Sequence, residues 1–150
     1  MDIFIIPEIQ FFLQLLLSFF LGSLIGVERE RIGKEAGLRT FSLVAVGSTL
    51  FTILSKEGFL GISSSFDPSR IAAGIVMGIG FLGAGIIVFR EGHIEGLTTA
   101  AALWSTGAVG MAVGCQFYSF AAIATLIIII ILTLGKGEKK KEIKKEADKK

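Results

Sequence analysis

Chemistry in this chain of 150 residues has few places to reside, and the first is the pair Asp67 and Arg70. Asp67 can accept hydrogen bonds as a helix N-cap, Pro68 suits the first helical position, and Arg70 falls in the first turn. A cation there opposes the helix macrodipole and needs a partner, of which Asp67, three residues earlier, is the nearest. A structural clamp and a partner-binding site both fit this pair. The second place is the densest internal charge cluster, Glu28, Arg29, Glu30, Arg31, Lys34 and Glu35, closed by Gly37, Leu38, Arg39 and Thr40. Glu28, Arg29 and Arg39 can pair across it or meet the headgroups of lipid or of a partner. The third is Trp104, deep in an apolar run and away from the borders where aromatic belts form, so its indole N–H needs a buried acceptor.

Other chemistry is weaker. Ser105, Thr106 and the single His93 show no nucleophile-and-base spacing, and no enzyme activity is expected. The single Cys115 excludes an internal disulfide and any Cys-x-x-Cys pattern. Gly78, Gly80 and Gly83 have the literal spacing of a dinucleotide fingerprint, but they sit inside an uninterrupted apolar run instead of between a strand and a helix. No cofactor and no nucleic-acid partner are expected. A magnesium path would most directly show carboxylates near mid-membrane, since that ion wants six close oxygens, and no apolar segment carries an acid at mid-depth.

The elements that must position these groups are membrane spans. Hydrophobic residues make up 52% of the chain and its mean hydropathy is +0.73, while charges crowd into a few places, which places it in the membrane class. Between Arg70 and Arg90 lie nineteen uncharged residues, about the ~20 that cross a ~30 Å hydrocarbon core. The forty uncharged residues from Gly96 to Gly135 would measure ~60 Å as one helix, so a turn must divide them, best at Gly114, Cys115 and Gln116. The expected fold is an all-α polytopic bundle of five spans, near 9–27, 38–54, 70–89, 97–114 and 117–134. A compact membrane domain, 1–135, is followed by a lysine-rich tail, 136–150. A small interfacial turn fits the loop from Ser55 to Phe66, and a tight polar connection is expected after Arg90.

Glycines spaced four apart, Gly22 and Gly26, Gly74 and Gly78, Gly110 and Gly114, form small-residue faces of the kind that let membrane helices approach. The last two pairs read as facing seams. Five spans put the termini on opposite sides. Arg29, Arg31, Lys34, Arg39, Arg90 and the tail lie on one side, and only Lys56 and Arg70 on the other. The positive-inside rule then sets the amino terminus outside and the tail in the cytoplasm. That tail, with eight lysines against Glu138, Glu142, Glu146 and Asp148, is too polar for a core and can touch anionic lipid.

Three segments together, GVERERIGKEAGLRT, DPSRIAAGIVMGIGFLGAGII and GLTTAAALWSTGAVGMAVG, resemble the MgtC/SapB family, over about Leu13 to Leu134. Gly74 and Met77 depart from its pattern, standing where polar or smaller side chains are often found. Better-known members continue into a soluble domain after the last helix, where this sequence has its lysine-rich tail. The resemblance implies a bacterial inner-membrane protein connected with growth at low magnesium and, in pathogens, with survival inside host cells. It further implies action by modulating other membrane proteins, with the F-type ATP synthase a proposed target, and a homo-oligomer is the expected state of the chain. The alternative is a magnesium or other cation transporter or channel subunit.

Overall fold

The computed structural model describes residues 5–58, 67–90 and 92–134. In chain order these form α1 (Ile5–Arg31), α2 (Leu38–Glu57), α3 (Ser69–Ile86), a short hairpin of β1 (Val88–Arg90) and β2 (His93–Glu95), α4 (Leu97–Gly114) and α5 (Tyr118–Leu134). The fold is a polytopic bundle of five helices. Four of them, α1 to α4, are long and apolar enough to cross a membrane. The fifth has 17 residues, about 26 Å at ~1.5 Å per residue, close to the ~30 Å hydrocarbon thickness. Of the loop expected from Ser55 to Phe66, Ser55 to Glu57 belong to α2 instead, while residues 59–66 and the lysine-rich tail lie outside the described residues.

The central helix is α4, which packs on each of the other four. Lipid tails are as apolar as leucine, so such helices are held by close van der Waals fit and interhelical hydrogen bonds more than by burial from water. Gly22 and Gly26 supply that fit between α1 and α2: a Cβ at Gly22 would stand 2.7 Å from the Ala45 Cβ, and one at Gly26 2.6 Å from the Leu38 Cα. Between α2 and α4 the same closeness occurs at Gly110, against Ala45 and Ser48, and at Gly114, against Thr52. Thr49 Oγ1 bridges this seam, 2.7 Å from the Gly110 carbonyl oxygen and 3.0 Å from that of its own turn, Ala45. Between α3 and α4, the Ile79 side chain fills the space that Gly107 leaves.

The two seams expected to face each other do not. Gly110 and Gly114 meet α2, whereas a Cβ at Gly74 or Gly78 would touch nothing within 4 Å. The reason is visible in α3, which turns Ile75, Ile79 and Gly83 toward the bundle and leaves the Gly74 and Gly78 side open. Several helix limits also differ from the expected spans, α1 starting at Ile5 and α2 running on to Glu57. α1 continues four residues past Val27, to Arg31, because Glu and Arg are good helix formers. α3 stops at Ile86 instead of residue 89, because Val88, Phe89 and Ile94 suit strands and pair in the hairpin, Phe89 opposite Ile94. Gly96, with φ +88°, turns the chain from that hairpin into α4, and a side chain there would strike the Ile86 carbonyl. The turn between α4 and α5 falls at Cys115 and Gln116, as the length argument required.

Candidate functional site

The charged residues gather at the two ends of the bundle. At one end, the extension of α1 carries Glu28 and Arg29 into a buried position against the end of α5. Arg29 is only 3% exposed. Its Nε and Nη2 lie 2.5 Å from Glu28 Oε2, and Nη2 donates to the Leu132 carbonyl oxygen at 3.2 Å. That carbonyl is among the last four of α5, which have no partner within their own helix, and a cation at a helix C-terminus also complements its dipole. The pair thus ties the last helix to the first. Glu30, the next residue after the buried pair, accepts the Leu38 N–H at 3.1 Å and so holds the start of α2. Arg39, expected to join this group, is exposed and forms no salt bridge among the described residues.

At the other end, Ser55 Oγ donates to the Pro68 carbonyl oxygen at 2.8 Å, joining the end of α2 to the start of α3. Pro68 is itself the N-cap residue and Ser69 the first helical one. Asp67 Oδ1 accepts the Ser69 N–H at 2.9 Å. Hydrogen bonds from the Ser69 hydroxyl and backbone hold the Asp67 carboxyl below its ordinary value, and the Arg70 charge adds a smaller pull the same way. The expected Asp67–Arg70 clamp is therefore replaced: Asp67 is committed to Ser69, and Arg70 forms no salt bridge among the described residues. Arg70 instead stands at the mouth of a groove of about 690 Å³ between α2 and α3, walled by Gly47, Phe51, Gly74, Gly78 and Leu82 and floored by Ile75 and Ile79.

Trp104 also departs from expectation. Its side chain is 50% exposed on the outer face of α4, with no hydrogen bond to the indole among the described residues. The α4 face that turns inward carries Leu103, Thr106, Gly107 and Gly110 instead.

One buried group was not singled out as a site by its sequence. Gln14, 2% exposed, donates from Nε2 to the Val113 carbonyl oxygen at 2.9 Å, a second donor beside the Gln116 N–H, and so ties α1 to the end of α4. A glutamine in an otherwise apolar segment was the available signal. No group of three or more His, Cys, Asp or Glu converges among the described residues.

A sequence model of the MgtC family matches residues 15–140, which include the charged α1 end, the Asp-Pro start of α3 and the α3–α4 pair. The chain belongs to the MgtC family. Among its relatives, the putative magnesium transporter YhiD of Escherichia coli K12 is 44% identical over 127 residues, covering 82% of this chain and 59% of that protein. The protein MgtC of Brucella abortus is 50% identical over 118 residues, covering 78% of this chain and 48% of that one. The protein SrpB of Synechococcus elongatus is 38% identical over 130 residues. This chain therefore spans about half to three fifths of the length of the first two. No solved structure matches it.

Proposed function

We propose that this protein is a bacterial inner-membrane modulator of MgtC type: it supports growth at low magnesium by contact with other membrane proteins, the F-type ATP synthase being the first target to test. It performs no catalysis in this reading. The observation that carries the proposal is the surface of α3. Only 17% of its apolar window is buried inside the bundle, against 56% for α4. Met77 and Phe81, one turn apart, project from it at 76% and 80% exposure. Such a helix is anchored on one edge and offers another, which suits docking of a partner's span. Self-association would use the same face. The positive-inside rule sets the end holding Arg29, Arg31, Lys34 and Arg39 toward the cytoplasm.

The second reading, a magnesium or other cation transporter or channel subunit, is favoured by the name of the Escherichia coli relative. Against it, the acids of the described helices lie near their ends, and Glu28 there is bound to Arg29.

The contact proposal is tested on inverted membrane vesicles by ATP-driven acidification. Wild-type protein should lower it, and Met77→Ala with Phe81→Ala should restore it while the melting temperature in detergent stays unchanged. Hot-spot side chains of this kind are worth ~2 kcal/mol or more of contact energy. Full inhibition by the double variant would remove this face, and no inhibition by wild type would remove this target.

A further inference from the structure

The α2–α3 groove has a shape that the contact proposal does not use. Its α3 wall runs from Arg70 to Leu82, about 18 Å at ~1.5 Å per residue, and its α2 wall from Phe51 back to Leu43, about 12 Å. That is roughly half of the ~30 Å hydrocarbon thickness, the depth of one leaflet. A cation stands at the border end, and every lining residue beyond it except Ser48 is apolar or glycine. The groove volume, about 690 Å³, lies within the ~300–1,000 Å³ range of ligand pockets. Gly47, Gly74 and Gly78 keep it open, since a Cβ at any of them would touch nothing within 4 Å, and Ile79 closes its floor against Gly107 of α4.

We infer that this groove binds a glycerophospholipid, with the phosphate on Arg70 and an acyl chain lying along Gly74 and Gly78. Charge complementarity and depth together select this occupant. A partner's transmembrane helix would need a groove running the full thickness of the membrane and an acid to meet Arg70; a lipid supplies its phosphate at the border and its chain to mid-depth. Asp67, whose Oδ1 accepts the Ser69 N–H, forms no salt bridge with Arg70, which leaves the guanidinium open to a phosphate. Met77 and Phe81 are not among the lining residues and project beside the groove, next to its Gly74 edge, so a lipid held in it leaves their side chains exposed.

The test is native mass spectrometry of the full chain in mild detergent, titrated with palmitoyl-oleoyl phosphatidylglycerol. One lipid should be retained per chain. Gly78→Leu, which fills the groove, should reduce retention about tenfold or more, and Arg70→Gln severalfold. Gly80→Leu, which adds the same side chain to α3 outside the groove, should bind as wild type does. Gly47→Leu fills the groove from the opposite wall and gives the same reading if Gly78→Leu yields no folded protein. Wild-type retention by both filled variants would overturn the proposal. So would a chain dimer that the filled variants convert to monomer, since the occupant would then be a second copy.

Discussion

Gly110→Leu should leave almost no folded protein, while Gly78→Leu, the same change in a helix of equal length, should fold with normal helix content. At Gly110 even a Cβ would press on the Ala45 carbonyl and stand 2.9 Å from the Ser48 Cβ, both parts of the facing helix. Backbone cannot rotate away as a long side chain can, so α2 and α4 must separate. Separation breaks the hydrogen bond from Thr49 Oγ1 to Gly110 and loosens the neighbouring contact at Gly114, where Thr52 would lie 2.6 Å from an added Cβ. Overpacking a well-filled site costs ~1–3 kcal/mol, occasionally more, and a backbone seam lies at the upper end of that range. At Gly78 a Cβ meets nothing within 4 Å. Yields of monodisperse protein and circular dichroism in detergent separate the two. Equal yields would show that α2 and α4 are not held by this seam.

Removing the buried cation should have a comparable effect by a different route. Arg29→Ala takes from Glu28 the partner at 2.5 Å and from the Leu132 carbonyl its donor. Breaking one side of a buried ion pair costs ~3–5 kcal/mol, because the remaining charge stays out of water. Replacing both members by apolar side chains of similar volume, Glu28→Leu with Arg29→Met, should recover much of that loss. Unfolding titrations in mixed micelles measure each variant. If the double variant is no more stable than Arg29→Ala, the pair is not coupled as described. Exposed Arg39 serves as the control: Arg39→Ala should change stability little, as surface charges do.

The glycine spacings and the runs of uncharged residues carried most of the fold. The division of the last forty residues at Gly114–Gln116 followed from length alone, because one helix of that size would overshoot the membrane twofold. What spacing could not supply was which neighbour each small face meets. Gly74–Gly78 and Gly110–Gly114 have the same period, yet one seam is packed and the other open, since the rotation of α3 is set by Ile75 and Ile79 against α4. For the same reason Trp104, central in its segment, could be assigned a depth but not a direction, and it points outward. The charged residues divide likewise. That Glu28 and Arg29 interact was legible from their types. Their burial was not, because it depends on α5 returning beside α1 more than a hundred residues later. Asp67 and Arg70 looked like a pair by helical spacing, but the Ser69 amide and hydroxyl are nearer donors for Asp67.

The central claim, that this protein works by contact and not by conduction, is tested most directly by magnesium flux into liposomes containing the purified chain. Empty vesicles and vesicles carrying the Arg70→Ala variant serve as controls, with insertion verified in each. The account predicts uptake indistinguishable from empty vesicles for wild type and variant alike. Uptake by wild type well above both controls would contradict it and make the chain a conducting path.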